Sequence, residues 1–587
     1  MNYHFINNIK SPRDIKGFKE EELNHVASEL RDALLNRLSK KGGHIGPNLG
    51  MVEATLALHY VFDAPKDQIV FDVSHQCYTH KMLTGRLEAF LDEHHFNDIS
   101  GYTNPQESVY DLFEVGHTST SLSLASGLAR ARDLKEEHYN VIAVIGDGSL
   151  GGGEALEGLN TIAEFNSNFI ILLNDNDMSI AENHGGLYKN LKELRETQGQ
   201  STHNIFKDLG LNYVFASRGN DAVYMAQIFK GVKDIQVPTV VHMVTQKGKG
   251  LASAEEHREM YHAGGPFNRE TGEFLYKMSQ GENYASITHD YLWKKVHEDK
   301  QVILVTSGTP SIYGYTAEER QSLGLQFIDV GIAEEQAMAM SSGLAKGGVK
   351  PVYAVYSTFI QRTFDQMSQD VCINKTSPTI IVGLASIDGM TDKNHTGYFD
   401  IPLIANIPNM TYLAPTNKDE YLAMLEWSIN QNQGPVAIRM PVMAVEAAQY
   451  PVMTNFDESN IMQVCEAGHD IAIIGCGNFF KLGKDLYQSL KDKGYEPTLI
   501  NPRFISGLDT HLLEELKKDH HLIITLEDGI LEGGFGQKIA SYYGHSTMKV
   551  LNYGIKKEFL DRYNPQEIKD LNKCNVSEIL GDIEKFF

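Results

Sequence analysis

The chain has 587 residues, 42% of them hydrophobic and 22% charged, enough for several globular cores. A formal net charge of −24 argues against a nucleic-acid partner, because a phosphate backbone needs a basic surface. The first ten residues lack the apolar run of a secretory leader, and no stretch approaches the length of a membrane span. No membrane partner is therefore expected. The five cysteines show no C-x-x-C spacing, which predicts a reduced, cytoplasmic protein with no cysteine metal site.

Strand and helix patterns alternate along the chain. This predicts an α/β protein of three doubly wound domains with mainly parallel sheets. The blocks are 1–283, 284–460 and 461–587. In the first, residues 140–145 and 169–173 are apolar runs typical of buried parallel strands, and residues 153–165 between them have helical spacing. A polar, glycine-containing stretch over residues 263–283 reads as a linker. The second block predicts strands at 302–306, 327–330, 352–355, 379–382 and 436–439. The third predicts strands at 471–474, 498–500, 522–525 and 550–551.

Gly146-Asp147-Gly148 follows the strand at 140–145, and Asn176 follows the strand at 169–173. Alone, such a triplet is a tight turn. With an asparagine one βαβ unit of about thirty residues further on, the two side chains stand at neighbouring strand ends. That is the edge where open α/β sheets bind ligands. A hard divalent cation takes oxygen ligands in the company of phosphates. Asp147, Asn176 and the Met178 carbonyl are therefore the candidate Mg2+ ligands beside a diphosphate. Gly116-His117-Thr118-Ser119 precedes a small-residue helix over 121–131, and its N–H groups and hydroxyls suit that diphosphate. Gly146, Gly148 and Ser149 join them as cofactor-binding candidates. Lys247, in Gln246-Lys247-Gly248-Lys249-Gly250, either adds a positive charge there or is a solvated loop lysine.

His44, His75, His117, His262 and His395 fall on glycine-rich or strand-end segments. Together they predict a polar pocket that moves protons. They lack the spacing of a histidine metal site. In the second block Glu334 opens a helix straight after a strand, which alone would be a cap or a dipole partner. Phe359 either packs in the core or stacks on a flat heterocycle, and Arg362 can reach a carboxylate or phosphate.

Taken together these segments resemble the 1-deoxy-D-xylulose-5-phosphate synthase family of the transketolase superfamily. The resemblance covers nearly the whole chain. It is carried by Gly43-His44 with Asn48-Leu49-Gly50, by His75-Gln76, and by the segments 116–121, 146–148, 173–176, 329–334 and 356–362. It implies a transketolase-like fold, with a diphosphate domain, a pyrimidine domain and a C-terminal domain. It implies a homodimer, thiamine diphosphate and Mg2+ as cofactors, and small-molecule substrates, pyruvate and D-glyceraldehyde 3-phosphate. It also implies that Glu334 hydrogen-bonds the aminopyrimidine of the cofactor, that His75 contacts the cofactor, and that His44, His262, His395 and Arg362 serve catalysis. Because Asp147, Asn176 and Glu334 are all present, the pattern is that of an enzyme rather than a binding module.

The departures cluster where the acceptor should bind. The family arginine of Asp-Arg-Ala-Gly falls on Leu384, in Gly383-Leu384-Ala385-Ser386. The second arginine of Arg-Tyr-Pro-Arg-Gly falls on Val442, in Arg439-Met440-Pro441-Val442-Met443. In the family both hold the acceptor phosphate, and neither Leu nor Val offers a guanidinium fork. At roughly 1.5–3 kcal/mol per lost contact, affinity for a phosphorylated acceptor should fall by about two to four orders of magnitude. Lys393 and Arg439 are the candidate replacements. The alternative is another aldehyde acceptor, or ketol transfer of the transketolase type.

Overall fold

The structure, a computed structural model, describes residues 3–275 and 281–586. It forms two compact units, residues 1–280 with 331–333, and residues 281–330 with 334–587.

The first unit is built on β1 (Gln68–Phe71), β2 (Val141–Gly146), β3 (Phe169–Asp175), β4 (Asn212–Ala216) and β5 (Pro238–Val244), in the order β1-β2-β3-β5-β4, with every pair parallel. Side chains alternate across a strand, so each apolar run feeds two cores. Ile142, Val144, Ile170 and Leu172 pack on one face, against the helices Leu23–Lys41, Val52–Val61 and Ala222–Val232. Ala143, Ile145, Ile171 and Leu173 pack on the other, against Ser121–Leu134 and Gly153–Ile162.

The expected linker over 263–283 is corrected as far as residue 275; residues 276–280 lie outside the described residues. Gly43 and Gly264 exchange N–H···O bonds of 2.9 and 3.0 Å, the Phe267 N–H donates to the Ser39 carbonyl (2.9 Å), and Phe267 and Phe274 sit edge to face. Two phenylalanines anchor a stretch whose polar composition resembles a loop. A Cβ on Gly264 would collide with the Phe274 ring, so glycine is required at that crossing.

The second unit carries two sheets. One has β6 (Val302–Thr306), β7 (Phe327–Asp329), β8 (Lys350–Tyr356), β9 (Thr379–Gly383), β10 (Thr411–Leu413) and β11 (Val436–Arg439), all parallel, in the order β10-β11-β9-β8-β6-β7. The other has β12 (Gln463–Glu466), β13 (Asp470–Gly475), β14 (Thr498–Asn501), β15 (His520–Ile530) and β16 (Lys549–Ile555), in the order β12-β14-β13-β15-β16. Only β12 runs antiparallel, along the outer side of β14. The sheets are α/β and mainly parallel, as expected. Strands β1, β4 and β5 of the first unit are not among the expected strands, nor are β10, which has three residues, and β12, a polar, bulged edge. Among the described residues no helix is long and apolar enough to cross a membrane.

Candidate active site

In the first unit the candidate residues gather at the carboxyl ends of β1, β2, β3 and β5, which are neighbours in the sheet. Asp147 directly follows β2 and is 2% exposed. Its Oδ2 accepts the Met178 N–H (3.2 Å) and the Asn183 amide (2.9 Å), and its Oδ1 accepts the Gly148 N–H (3.0 Å). Burial, then the neighbouring Asp175, push this carboxyl well above the usual range. A bound cation would reverse that shift. The Oδ1 of Asn176 is buried without a hydrogen-bond partner among the described residues. A buried acceptor left open in this way calls for a ligand. One carboxylate and one open amide oxygen make an all-oxygen donor set that suits Mg2+. A Cβ at Gly148 would come within 2.6 Å of the Ser179 Cβ, so glycine lets the two turns meet.

Lys247 is not a solvated loop lysine. It is 2% exposed, its Nζ donates to the Ser179 carbonyl (2.5 Å), and burial pulls its pKa down to about 8 against the opposing pull of Asp147.

Ser119 is not the diphosphate contact expected of it. The N–H groups of Ser119 and Ser121 donate to the two oxygens of Asp72 (2.8 and 2.9 Å), and the Ser119 hydroxyl donates to the Ser149 carbonyl (2.8 Å). These groups brace the turn and are not open to a diphosphate. The cause is the left-handed backbone at Ser119 (φ 74°), a bend that the Asp72 carboxylate holds closed. Gly116 is buried on this loop, and His117 and Thr118 are half-buried beside it. Asp72 is a positioning residue that sequence reasoning missed. It is followed by Val73 (φ 56°) and Ser74 (φ 62°), two left-handed residues that turn the chain toward His75. Such strain in a β-branched residue is rare away from working sites.

His44, His75 and His262 form a trio, with ring centroids 5.1, 5.4 and 5.9 Å apart, and Tyr102 lies 5.6 Å from His44. Asn48 ties two of them, its amide donating to the carbonyls of His44 and His75 (2.7 Å each) while its oxygen takes the Tyr78 N–H (2.9 Å). Burial, reinforced by Lys247 and the other two rings, holds the His262 pKa well below the ordinary value. A neutral imidazole of this kind can accept a proton or pass one on.

In the second unit Glu334 starts the helix Glu334–Lys346 and is 3% exposed. Its Oε2 lies 3.5 Å from Arg362 Nη1. Burial raises its pKa, and Arg362 pulls the other way. Phe359 meets Tyr356 (6.2 Å) and His395 (5.7 Å) edge to face. The loop carrying His395 is pinned by the Ser357 hydroxyl, which donates to the Gly397 carbonyl (2.6 Å).

Burial pushes the His395 pKa down to about 4. Between pH 6.5 and 4 an unfolded chain binds a proton there that the folded chain refuses, so this term weakens the fold as pH falls through that window. His395→Asn should flatten the acid-side fall in thermal midpoint relative to the parent chain. Parallel profiles would contradict this reading.

Residues 6–204 match the family described as 1-deoxy-D-xylulose-5-phosphate synthase. Residues 283–447 match the transketolase pyrimidine binding domain, and residues 460–579 the transketolase C-terminal domain. A Clostridium acetobutylicum protein named 1-deoxy-D-xylulose-5-phosphate synthase is 36% identical over 621 residues, covering all of both chains. One of the same name from Carboxydothermus hydrogenoformans is 37% identical over 608 residues, covering 96% of each. The chain belongs to the 1-deoxy-D-xylulose-5-phosphate synthase family. Members of this family are transferases that use thiamine diphosphate with a divalent metal ion such as Mg2+. The oxygen donors at Asp147 and Asn176 fit that metal.

Within a 1-deoxy-D-xylulose-5-phosphate synthase framework, Arg439 does not replace the missing arginines. Its Nε and Nη2 donate to the Asp400 carboxylate (2.8 and 3.2 Å), and its Nη1 to Asp528 (2.6 Å), all three residues being buried. The two aspartates, which sequence reading had not connected to it, engage the whole fork. Leu384 stands at the end of β9 with φ 55°, and the Val442 N–H donates to Asn478 (3.2 Å). Lys393 is half-buried on the His395 loop, its own N–H donating to Asp561 (3.3 Å).

Proposed function

We propose that this enzyme decarboxylates pyruvate and joins the two-carbon unit to D-glyceraldehyde 3-phosphate, forming 1-deoxy-D-xylulose 5-phosphate and carbon dioxide. The observation that carries the cofactor assignment is the open, buried amide oxygen of Asn176 near Asp147. Full-length similarity to relatives of that name supports the reaction. Asp147, Asn176 and the Met178 carbonyl would hold Mg2+. Gly116, His117, Thr118, Gly146, Gly148, Ser149, Lys247 and His75 would surround the diphosphate. When bound, thiamine diphosphate supplies the electron sink for decarboxylation and carbon–carbon bond formation. Glu334 would hold the proton at the pyrimidine nitrogen, Arg362 would steady the Glu334 charge, and Phe359 would pack on the ring. His44, His262 and His395 would carry protons at the substrate oxygens. The reading includes three domains with boundaries near 283 and 460, a homodimer and a cytoplasmic setting.

A second reading, an acceptor without a phosphate, is favoured by one observation. The arginine at the end of β11 is closed inside its cluster with Asp400 and Asp528, while Leu384 and Val442 are apolar. Carbon dioxide release from pyruvate, with and without D-glyceraldehyde 3-phosphate, separates the two. Strong stimulation with deoxyxylulose phosphate as product supports the first reading. No stimulation, with turnover on an unphosphorylated aldehyde, supports the second. Leu384→Arg with Val442→Arg should lower the apparent KM for the phosphorylated acceptor about 100-fold or more, since each restored contact is worth roughly 1.5–3 kcal/mol. An unchanged KM would remove both positions from the acceptor site.

A further inference from the structure

Two arginines hold the turn that carries Asn176: Arg258 Nη1 donates to the Asn176 carbonyl (3.3 Å), and Arg195 grips the turn from behind. Asp175 ends β3, is fully buried, and accepts Arg195 Nη1 on both oxygens (2.7 and 2.8 Å). The same guanidinium reaches past Asn176, its Nη2 donating to Asp177 Oδ1 (2.6 Å). Arg195 therefore grips the residues on either side of Asn176. Asp177 has a left-handed backbone (φ 61°), and its N–H folds back onto Asp175 Oδ1 (3.2 Å), so the turn is tight and the grip falls on its two ends. A second buried arm fixes Asp175 from the sheet. His242 Nε2 lies 2.8 Å from Asp175 Oδ2, and the Tyr213 hydroxyl lies 2.7 Å from His242 Nδ1. Arg195 comes from the helix Gly186–Glu196, and His242 and Tyr213 from β5 and β4.

We infer that Arg195 is a positioning residue for the metal site: it fixes the turn so that the Asn176 amide oxygen stays aimed at the cation. Two features carry this. The Asn176 oxygen is buried and open, and the residues on either side of it are both held by the one guanidinium. Partners that orient metal ligands in this way change affinity by about 10–100-fold when lost. Mg2+ is the stricter probe, because it demands near-ideal octahedral geometry where Ca2+ tolerates a loose cage.

The inference rests on the cofactor reading proposed above. Its test is calorimetry of thiamine diphosphate binding to the full chain in Mg2+ and, separately, in Ca2+, for the parent protein and for Arg195→Met and Arg195→Lys. Arg195→Met should weaken Mg2+-dependent binding at least tenfold and Ca2+-dependent binding much less. Arg195→Lys, which keeps the charge but not the two-sided grip, should fall between. If Arg195→Met does not fold, Asp177→Asn, on the exposed arm of the clamp, takes its place with the same expected Mg2+-selective loss. Unchanged Mg2+-dependent affinity would overturn the inference, as would equal losses for both ions. Absence of binding by the parent protein would instead overturn the cofactor reading, and the clamp with it.

Discussion

Glu334→Gln is expected to bind thiamine diphosphate as the parent chain does and to lose about 10²–10⁴ in turnover. The carboxyl group is almost fully buried at a helix start, and the Arg362 guanidinium stands 3.5 Å away. Burial favours the neutral acid, while Arg362 favours the carboxylate. A carboxyl raised in this way can take up and release a proton, which an amide of the same shape cannot do. Glutamine preserves the volume and one hydrogen-bonding face, so a fall in turnover without a fall in cofactor affinity would isolate proton exchange from binding. Turnover within twofold of the parent would remove Glu334 from the mechanism.

Asp147→Ala should abolish Mg2+-dependent cofactor binding, with a loss exceeding the roughly 10–100-fold typical of an outer-shell partner. Alanine also leaves the Gly148 and Met178 N–H groups and the Asn183 amide without their acceptor, so Asp147→Asn, which keeps the shape, is the companion variant. A variant that stays folded but no longer shows metal-dependent heat on titration would separate the ligand role from a structural one. Equal cofactor affinity in calorimetry would end the metal assignment.

Much of the site was legible because its residues lie immediately beyond apolar strands. The runs before Asp147 and Asn176 feed two cores each, which fixes them as central strands and places both side chains at one sheet edge. The histidine trio was legible as types on loops, but their meeting was not, because it depends on the Gly43–Gly264 bridge and on the Asn48 amide. Asp72 was hidden for a similar reason: its partners Ser119 and Ser121 are distant in sequence. Arg439 misled in the opposite direction. As a letter it is an available cation, and only the fold reveals Asp400 and Asp528 on either side. Phe267 and Phe274 show the limit of composition, since two aromatic anchors in a polar stretch convert an apparent tether into packed structure.

Leu384 occupies a left-handed backbone conformation, one that costs about 1–2 kcal/mol for any residue bearing a Cβ. Leucine and arginine bear that penalty alike, so exchanging them leaves the strain unchanged. Glycine at the same position would relieve it. A randomised library at position 384 would therefore divide under selection. Pressure for thermal endurance would enrich glycine, asparagine and aspartate, whereas pressure for growth on a phosphorylated aldehyde would enrich arginine. The two enrichment profiles, read side by side, would report what this corner of the enzyme has been selected to hold.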